Sequence, residues 1–418
     1  MTARKAPLLA LLAACGVSSF GSSMTLIAIP WFVLQSTGSG VSTGLVAAAE
    51  TIGLLLSVSL VGPLIDRFGA YRASVVADLA TAVVVVAIPI SYATSGLPLA
   101  LLAVLSFAIG AGRAPSRSAK QVLLPHVIAR TGTSVERGTS GEEAMLQGGD
   151  LLGTPVGGLL IALIGPTQTL LVDAMALGSA ALLVAVFCRP AREDSKSDRV
   201  ESEKRDYFDD IRTGVRHLAH DRLLLALGGV SAVSNALGIA LVSVLLPAYG
   251  VTVWHSSLMV GILIAAASAG SIVGTVLYGW RGARVGRRRL YATGLLLSGA
   301  PIYLAVALNP PPPVLVALVF LCFTGNGPIN PVLAAVKYDR VPEAMRGTVF
   351  GTFTTITSIA MPLGLVFGGL LLDVVGLTRA TLLASAVSLS ITLCPVVFPV
   401  WRQMNKVPER IGGGDNPV

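Results

Sequence analysis

Residues 60–74 read LVGPLIDRFGAYRAS, which sets Asp66 and Arg67, bracketed by Gly62 and Gly69, between apolar runs at 42–61 and 73–94. Charge at membrane depth is costly and is normally partnered. The stretch is therefore either a short turn between two membrane spans or an oddity, and the rest of the chain decides which. Only 12% of residues are charged and 53% are hydrophobic, about half the charge of an average soluble domain. The mean hydropathy is +0.77.

A bilayer span needs about 20 apolar residues. Twelve stretches qualify: 8–34, 42–64, 73–94, 97–116, 143–164, 168–188, 223–249, 256–279, 289–308, 313–336, 346–372 and 378–400. Backbone groups in hydrocarbon must bond within their own segment, and the alternation of a membrane β-barrel is absent, so these are helices. The expected fold is an all-α membrane protein of twelve transmembrane helices. With the N-terminus inside, every one of the 30 Lys and Arg except Arg379 falls in an inside segment, as the positive-inside rule requires. Both termini are thus expected in the cytoplasm. The net charge of +8 is this same bias and does not indicate nucleic acid.

The start, MTARKAPLLALLAACGV, imitates a secretory signal before Cys15. Its apolar run continues to Leu34, too long for a signal core, so an uncleaved first helix is expected. Cys15, Cys188, Cys322 and Cys394 are scattered singly without ligand or disulfide spacing. No metal or cofactor is expected.

Compared with itself at a shift of 217, the chain superposes Gly21 on Gly238, Pro30 on Pro247, Gly62 on Gly279, Arg67 on Arg284, Gly69 on Gly286 and Pro125 on Pro342. At a shift of 211, GGLLIALIGPTQTLL (157–171) matches GGLLLDVVGLTRATLL (368–383) until a one-residue slip. Two six-helix halves related by a parallel repeat follow, as in large secondary transporters. The expected boundaries are 1–188 and 223–400 for the halves, 189–222 for a cytoplasmic linker and 401–418 for a cytoplasmic tail. The linker carries nine basic and nine acidic residues. It begins as solvated, disordered chain and ends as an amphipathic surface helix on Phe208, Ile211, Val215 and Leu218.

Residues 60–74 are then the cytoplasmic turn between helices 2 and 3. Partners for Asp66 are Arg67, Arg72 or the N-terminus of a neighbouring helix, whose dipole favours an anion. The run Gly62-Pro63-Leu64-Ile65-Asp66-Arg67-Phe68-Gly69 resembles the loop 2–3 signature G-x-L-x-D-R-x-G of the major facilitator superfamily, and the likeness extends over the whole chain. The resemblance implies that Asp66 is a conformational latch, with Gly62, Arg67, Gly69 and Arg72 forming the gate. The chain departs from the family in having Ala70-Tyr71 before Arg72. In the second copy, GWRGARVGRRR (279–289), Ala283 replaces the acid, so the two gates should be unequal.

Helix 5 carries Gly149, Gly153, Pro155, Gly157 and Gly158. It is similar to the G-x-x-x-G-P-x-x-G-G motif of drug/proton antiporters with the proline one place late; ordinary small-residue packing reads equally well. GRAPSRSAKQVLLPHVI (112–128), DDIRTGVRHLAHDRLLLAL (209–227) and MRGTVFG (345–351) resemble the branch containing macrolide and multidrug effluxers and an enterobactin exporter. That implies export of amphipathic organic compounds from a bacterial plasma (inner) membrane. The alternatives are uptake or uniport of a small organic metabolite, and a non-transporting sensor or scaffold. A monomer is expected.

Proton coupling needs an ionisable group inside the membrane, with a pKa that desolvation moves toward neutrality. Glu50 on helix 2 and Asp150 on helix 5 lie nearest the midplane and are the candidates, with Arg113 on helix 4 as a partner for Asp150. Asp78 reads as a structural ion pair near the cytoplasm. The fold implies a cavity lined by helices 1, 4, 7 and 10. Its candidate contacts are Ser18, Ser22, Trp31, Arg113, Ser231, Asn235, Asn326 and Asn330, each of which could instead join helices. No Gly-x-x-x-x-Gly-Lys-Ser/Thr loop occurs. The four histidines lie near ends or loops, so neither ATP-driven transport nor an enzyme is expected.

Overall fold

The computed structural model describes residues 2–189, 215–216, 218–281 and 285–405. Among them every regular element is helical, and twelve helices are long and apolar enough to cross a membrane. They are α1 (Thr2–Thr37), α2 (Gly40–Phe68), α3 (Ala70–Ser95), α4 (Leu99–Thr131), α5 (Val135–Ile164) and α6 (Pro166–Phe187) in the first half. The second half has α7 (Arg222–Trp254), α8 (Ser257–Arg281), α9 (Arg287–Leu308), α10 (Pro312–Arg340), α11 (Arg346–Val375) and α12 (Leu377–Val397).

The opening stretch is more helical than its sequence predicts. α2 runs to Phe68 and α3 starts at Ala70, so Gly69 alone makes the turn. Its positive φ of 76° is one that glycine adopts at little cost, and its N–H donates to Ile65 O at 2.7 Å. Gly62 therefore lies inside a helix and takes no part in the turn. The Asp66 side chain lies outside the described residues, as do 282–284 of the second copy. Arg67 and Arg72 are exposed, and the Arg67 guanidinium sits 5.6 Å from the centre of the Phe68 ring.

Hydropathy marks the hydrocarbon and not the helix end, which accounts for the other boundary differences. α4 continues fifteen residues beyond the expected end at 116, and α5 begins eight residues before 143. Residues 190–214 of the linker and 406–418 of the tail lie outside the described residues. At the linker's end Leu218 is buried, and Asp221 caps α7 by accepting from the N–H groups of Leu223 and Leu224. The start of the expected tail is not free chain: Trp401 and Met404 are buried, and Trp401 stacks on Tyr291 with ring centres 5.6 Å apart.

Three helices are interrupted. α7 contains π-helical turns at Leu241–Leu245 and Gly250–Trp254, flanking Pro247. α9 breaks at Gly299, and α10 opens into turns over residues 325–328. Irregular backbone at this depth is tolerated where protein or a cavity satisfies it.

The halves meet at the end of the bundle that holds the α1–α2 connection. A side chain at Gly261 of α8 would collide with Thr154 O of α5, and one at Gly369 of α11 with Gly40 O of α2. Polar contacts close both seams. Ser257 Oγ donates to Gly158 O at 2.8 Å. The Asp373 carboxylate of α11 accepts from Ser39 Oγ at 2.8 Å and from the N–H groups of Gly40 at 2.5 Å and Val41 at 3.0 Å. An acid is thereby seated on the positive N-terminus of a helix from the other half. Toward the opposite end the α11 positions Gly347 and Gly351 face open space.

Asp373→Ala removes all three acceptor contacts from this clasp. Spin labels at Ser36 and Thr378, both exposed, are expected to gain a longer-distance population in the variant. An unchanged distance distribution would show that the glycine seams close this end unaided.

Candidate substrate and proton site

Three cavities formed by the described residues bear on the site. The first, about 370 Å³, lies inside the N-terminal half and is lined by Ser18, Ser22, Asp78, Arg113, Lys120 and Asp150 among others. The second, about 240 Å³, lies between the halves, with Gln147 and Asp150 on one side and Leu241, Leu263, Ile302 and Phe323 on the other. The third, about 510 Å³, is lined wholly by the C-terminal half, including Ser231, Asn235, Asn326 and Asn330. Asp150 borders both the first and the second cavity. Leu241, Val242, Ile302 and Phe323 border both the second and the third.

Asp150 reaches this junction because α5 lies very close to α1. Gly149, Gly153 and Gly157, four residues apart, put one face of α5 against the α1 backbone at Gly16, Phe20 and Met24. A side chain at Gly149 would come within 2.6 Å of Gly16 O. The same approach lets Ser19 and Ser23 donate to Asp150 Oδ1 at 2.6 and 2.8 Å. Gly158 and Pro155 face α8 instead. The helix 5 motif thus serves two interfaces at once.

Asp78, Lys120 and Arg113 of the first cavity are paired, and Arg117 and Glu142 also line it. Asp78, fully buried, accepts from Ser116 and pairs with Lys120 Nζ at 2.8 Å; Lys120, 2% exposed, also donates to Ser18 at 3.0 Å. Glu50 binds Arg113 directly, and Arg113 lies 3.6 Å from Asp173 of α6. Asp173 is fully buried, accepts from Thr25 and packs against Gly21. Arg113 is therefore the partner of Glu50 and Asp173, not of Asp150. Among the described residues Asp150 has hydroxyl donors and no cation.

Two of these groups escaped the sequence reading. Lys120 and Arg117 lie beyond the expected end of helix 4 at 116, but α4 continues through both and buries Lys120. Asp173 lay in plain view as an acid within an apolar span, and the rule that singled out Glu50 applies to it equally. Among the expected substrate contacts, Ser18, Ser22 and Arg113 face the first cavity, and Ser231, Asn235, Asn326 and Asn330 the third. Trp31 faces neither. It is 5% exposed, in the core near the closed end, and abuts the backbone at Gly250 of α7. An indole of that size is worth more filling the seal than lining a cavity.

The family model for the Major Facilitator Superfamily matches residues 11–253 and again 228–413. The chain belongs to the major facilitator superfamily. It is accordingly a transmembrane transporter and not an enzyme. Its sequence is 31% identical over 409 residues to the multidrug efflux pump Tap of Mycobacterium tuberculosis (strain ATCC 25618 / H37Rv), covering 97% of this chain and 96% of that protein. It is 29% identical over 406 residues to the pump of the same name from Mycolicibacterium fortuitum, covering 96% and 98%. In fold it is similar to the nucleoside transporter NupG, with a TM-score of 0.74 at 11% identity over 95% of this chain and 98% of that one. It also resembles a bacterial homologue of the human lysosomal transporter Spinster in an inward-facing, unoccupied conformation. That TM-score is 0.73 at 14% identity, covering 97% and 99%.

In this superfamily member the Asp78–Lys120 pair can be tested apart from transport. Lys120→Met strands a fully buried carboxylate and is expected to cost about 3 kcal/mol. Asp78→Leu combined with Lys120→Met should recover most of the melting temperature in detergent. A double variant melting as low as the single one would contradict the pairing.

Proposed function

We propose that this transporter exports amphipathic organic compounds in exchange for protons, with Asp150 and Glu50 as the proton-carrying groups. The observation that carries the reading is the position of Asp150. It borders both the cavity of its own half and the pocket between the halves, and is held by hydroxyls alone among the described residues. Among the described residues no cation pairs with Asp150, so taking up a proton there breaks no ion pair. Substrate entering the pocket between the halves meets that group directly, so binding and deprotonation can compete.

Glu50 acts through Arg113. When the carboxylate is charged it engages the guanidinium; when protonated it releases Arg113 to Asp173. Export is favoured over uptake by the likeness to multidrug efflux pumps, and the small-residue surface of α5 supports the same reading. The termini and the open end of the bundle are assigned to the cytoplasm by the distribution of Lys and Arg. On that assignment the conformation described is inward-facing, with the Asp373 clasp and the glycine seams sealing the outside. The latch role of Asp66 belongs to the opposite, outward-facing state. Rocking of the halves about the pocket between them completes alternating access.

The test is transport in proteoliposomes with an imposed pH gradient. Asp150→Asn should lose uphill movement of substrate while retaining energy-independent exchange, since it keeps the volume and the hydroxyl contacts but cannot release a proton. Full pH-driven uphill transport by both Asp150→Asn and Glu50→Gln would exclude this coupling.

A further inference from the structure

We propose that the cavity inside the C-terminal half is the substrate-selecting site, and that Lys337 makes it select amphipathic organic anions. This rests on the transporter reading above but not on its direction or its coupling ion. Of the described residues lining this cavity, the largest of the three, Lys337 alone carries a charge. Its ammonium lies 4.8 Å from the centre of the Phe353 ring and 5.2 Å from that of Phe350. Aromatic faces hold a cation without neutralising it.

The acids of this half are engaged elsewhere. Asp221 pairs with Arg340 at 2.6 Å, Asp339 with Arg287, Glu343 with Arg346 at 3.6 Å, and Asp373 caps α2. Among the described residues no carboxylate pairs with Lys337. Its counterpart at the 217 shift is Lys120, which Asp78 neutralises. The position equivalent to Asp78 is Leu295, and that equivalent to Glu50 is Ala267; beyond the one-residue slip, where the shift is 212, Asp173 corresponds to Ser385. The repeat thus preserves the lysine and deletes its acids. The space follows the same rule: Gly21 packs against Asp173, whereas its counterpart Gly238 lines the cavity with nothing within 4 Å.

Two helices are discontinuous beside the cavity. α9 breaks at Gly299 and α10 opens at 325–328, and Gly299, Asn326 and Ile329 all line the cavity. Discontinuous helices at this depth mark binding sites in transporters. An organic anion supplies the carboxylate, sulfonate or enolate that Lys337 lacks, and its apolar body fits among Phe323, Phe353, Ile302 and Leu295. An organic cation meets uncompensated like charge there, and none of the acids that would welcome it.

Fluorescein and rhodamine 123 share a xanthene core and differ in charge, so they isolate this property. Their binding to the purified full-length protein is read by fluorescence anisotropy, with protein-free micelles as the blank. The wild type should bind fluorescein about tenfold more tightly than rhodamine 123, the value of one charge-assisted contact. Lys337→Met should erase that preference and Lys337→Arg should keep it. An equal or reversed preference in the wild type overturns the proposal, as does an equal loss of both dyes in Lys337→Met. The latter would make Lys337 a structural lysine near a helix end. Proteoliposomes separate the two readings. Selective binding of fluorescein without its movement sinks the export reading and leaves the site standing. Movement of rhodamine 123 but not fluorescein does the reverse.

Discussion

A charge in hydrocarbon persists only where another charge or a strong donor meets it, and the N-terminal half is arranged around such meetings. Asp78 with Lys120, and Glu50 with Arg113 and Asp173, tie α2, α3, α4 and α6 into one unit. Removing one member strands the others at a cost larger than most single side chains contribute. This fixes the shape of that half and leaves Asp150 outside its ion pairs. The C-terminal half repeats the architecture without the acids. What fills the N-terminal half with ion pairs becomes, in the second copy, an open and nearly neutral cavity.

Between these halves the contacts are of a different kind. The seams at Gly261 and Gly369 depend on close backbone approach, and the Asp373 clasp is polar and exposed. Exposed charge contacts are weak, and small-residue seams bring little interlocking of side chains. An interface of this sort can separate and re-form, whereas the buried Asp78–Lys120 pair within the N-terminal half stays closed. The division suits a molecule in which rigid halves move about a changeable seal.

Most of the architecture was legible in the sequence, because apolar length and the placement of Lys and Arg report directly on the membrane. The twelve spans and the doubled pattern of Gly and Pro needed nothing else. Helix ends were less legible: α4 continues past its apolar run, which is how Lys120 passed for a loop residue. Gly69 was correctly placed in a tight turn and Gly62 was not, since glycine in a helix and glycine in a turn look alike in sequence. Of the site, the polar residues of helices 7 and 10 were singled out because the resemblance implies that these helices line a cavity, and Ser231, Asn235, Asn326 and Asn330 line the one in the C-terminal half. Trp31 was not, because an aromatic residue suits a seal and a binding site equally well. Which acid meets which base depends on helix rotation, and hydropathy carries no information about that.

The central claim is that Asp150, an acid of the N-terminal half outside its ion pairs, takes up and releases the transported proton, while Asp78 is held in a structural pair with Lys120. Infrared difference spectra of the protein in lipid, recorded between acidic and alkaline pH, test it most directly. The account predicts a protonated carboxyl band at acidic pH that Asp150→Asn removes or strongly reduces and that the Asp78→Leu, Lys120→Met double variant leaves in place. A band untouched by Asp150→Asn and by Glu50→Gln would contradict it.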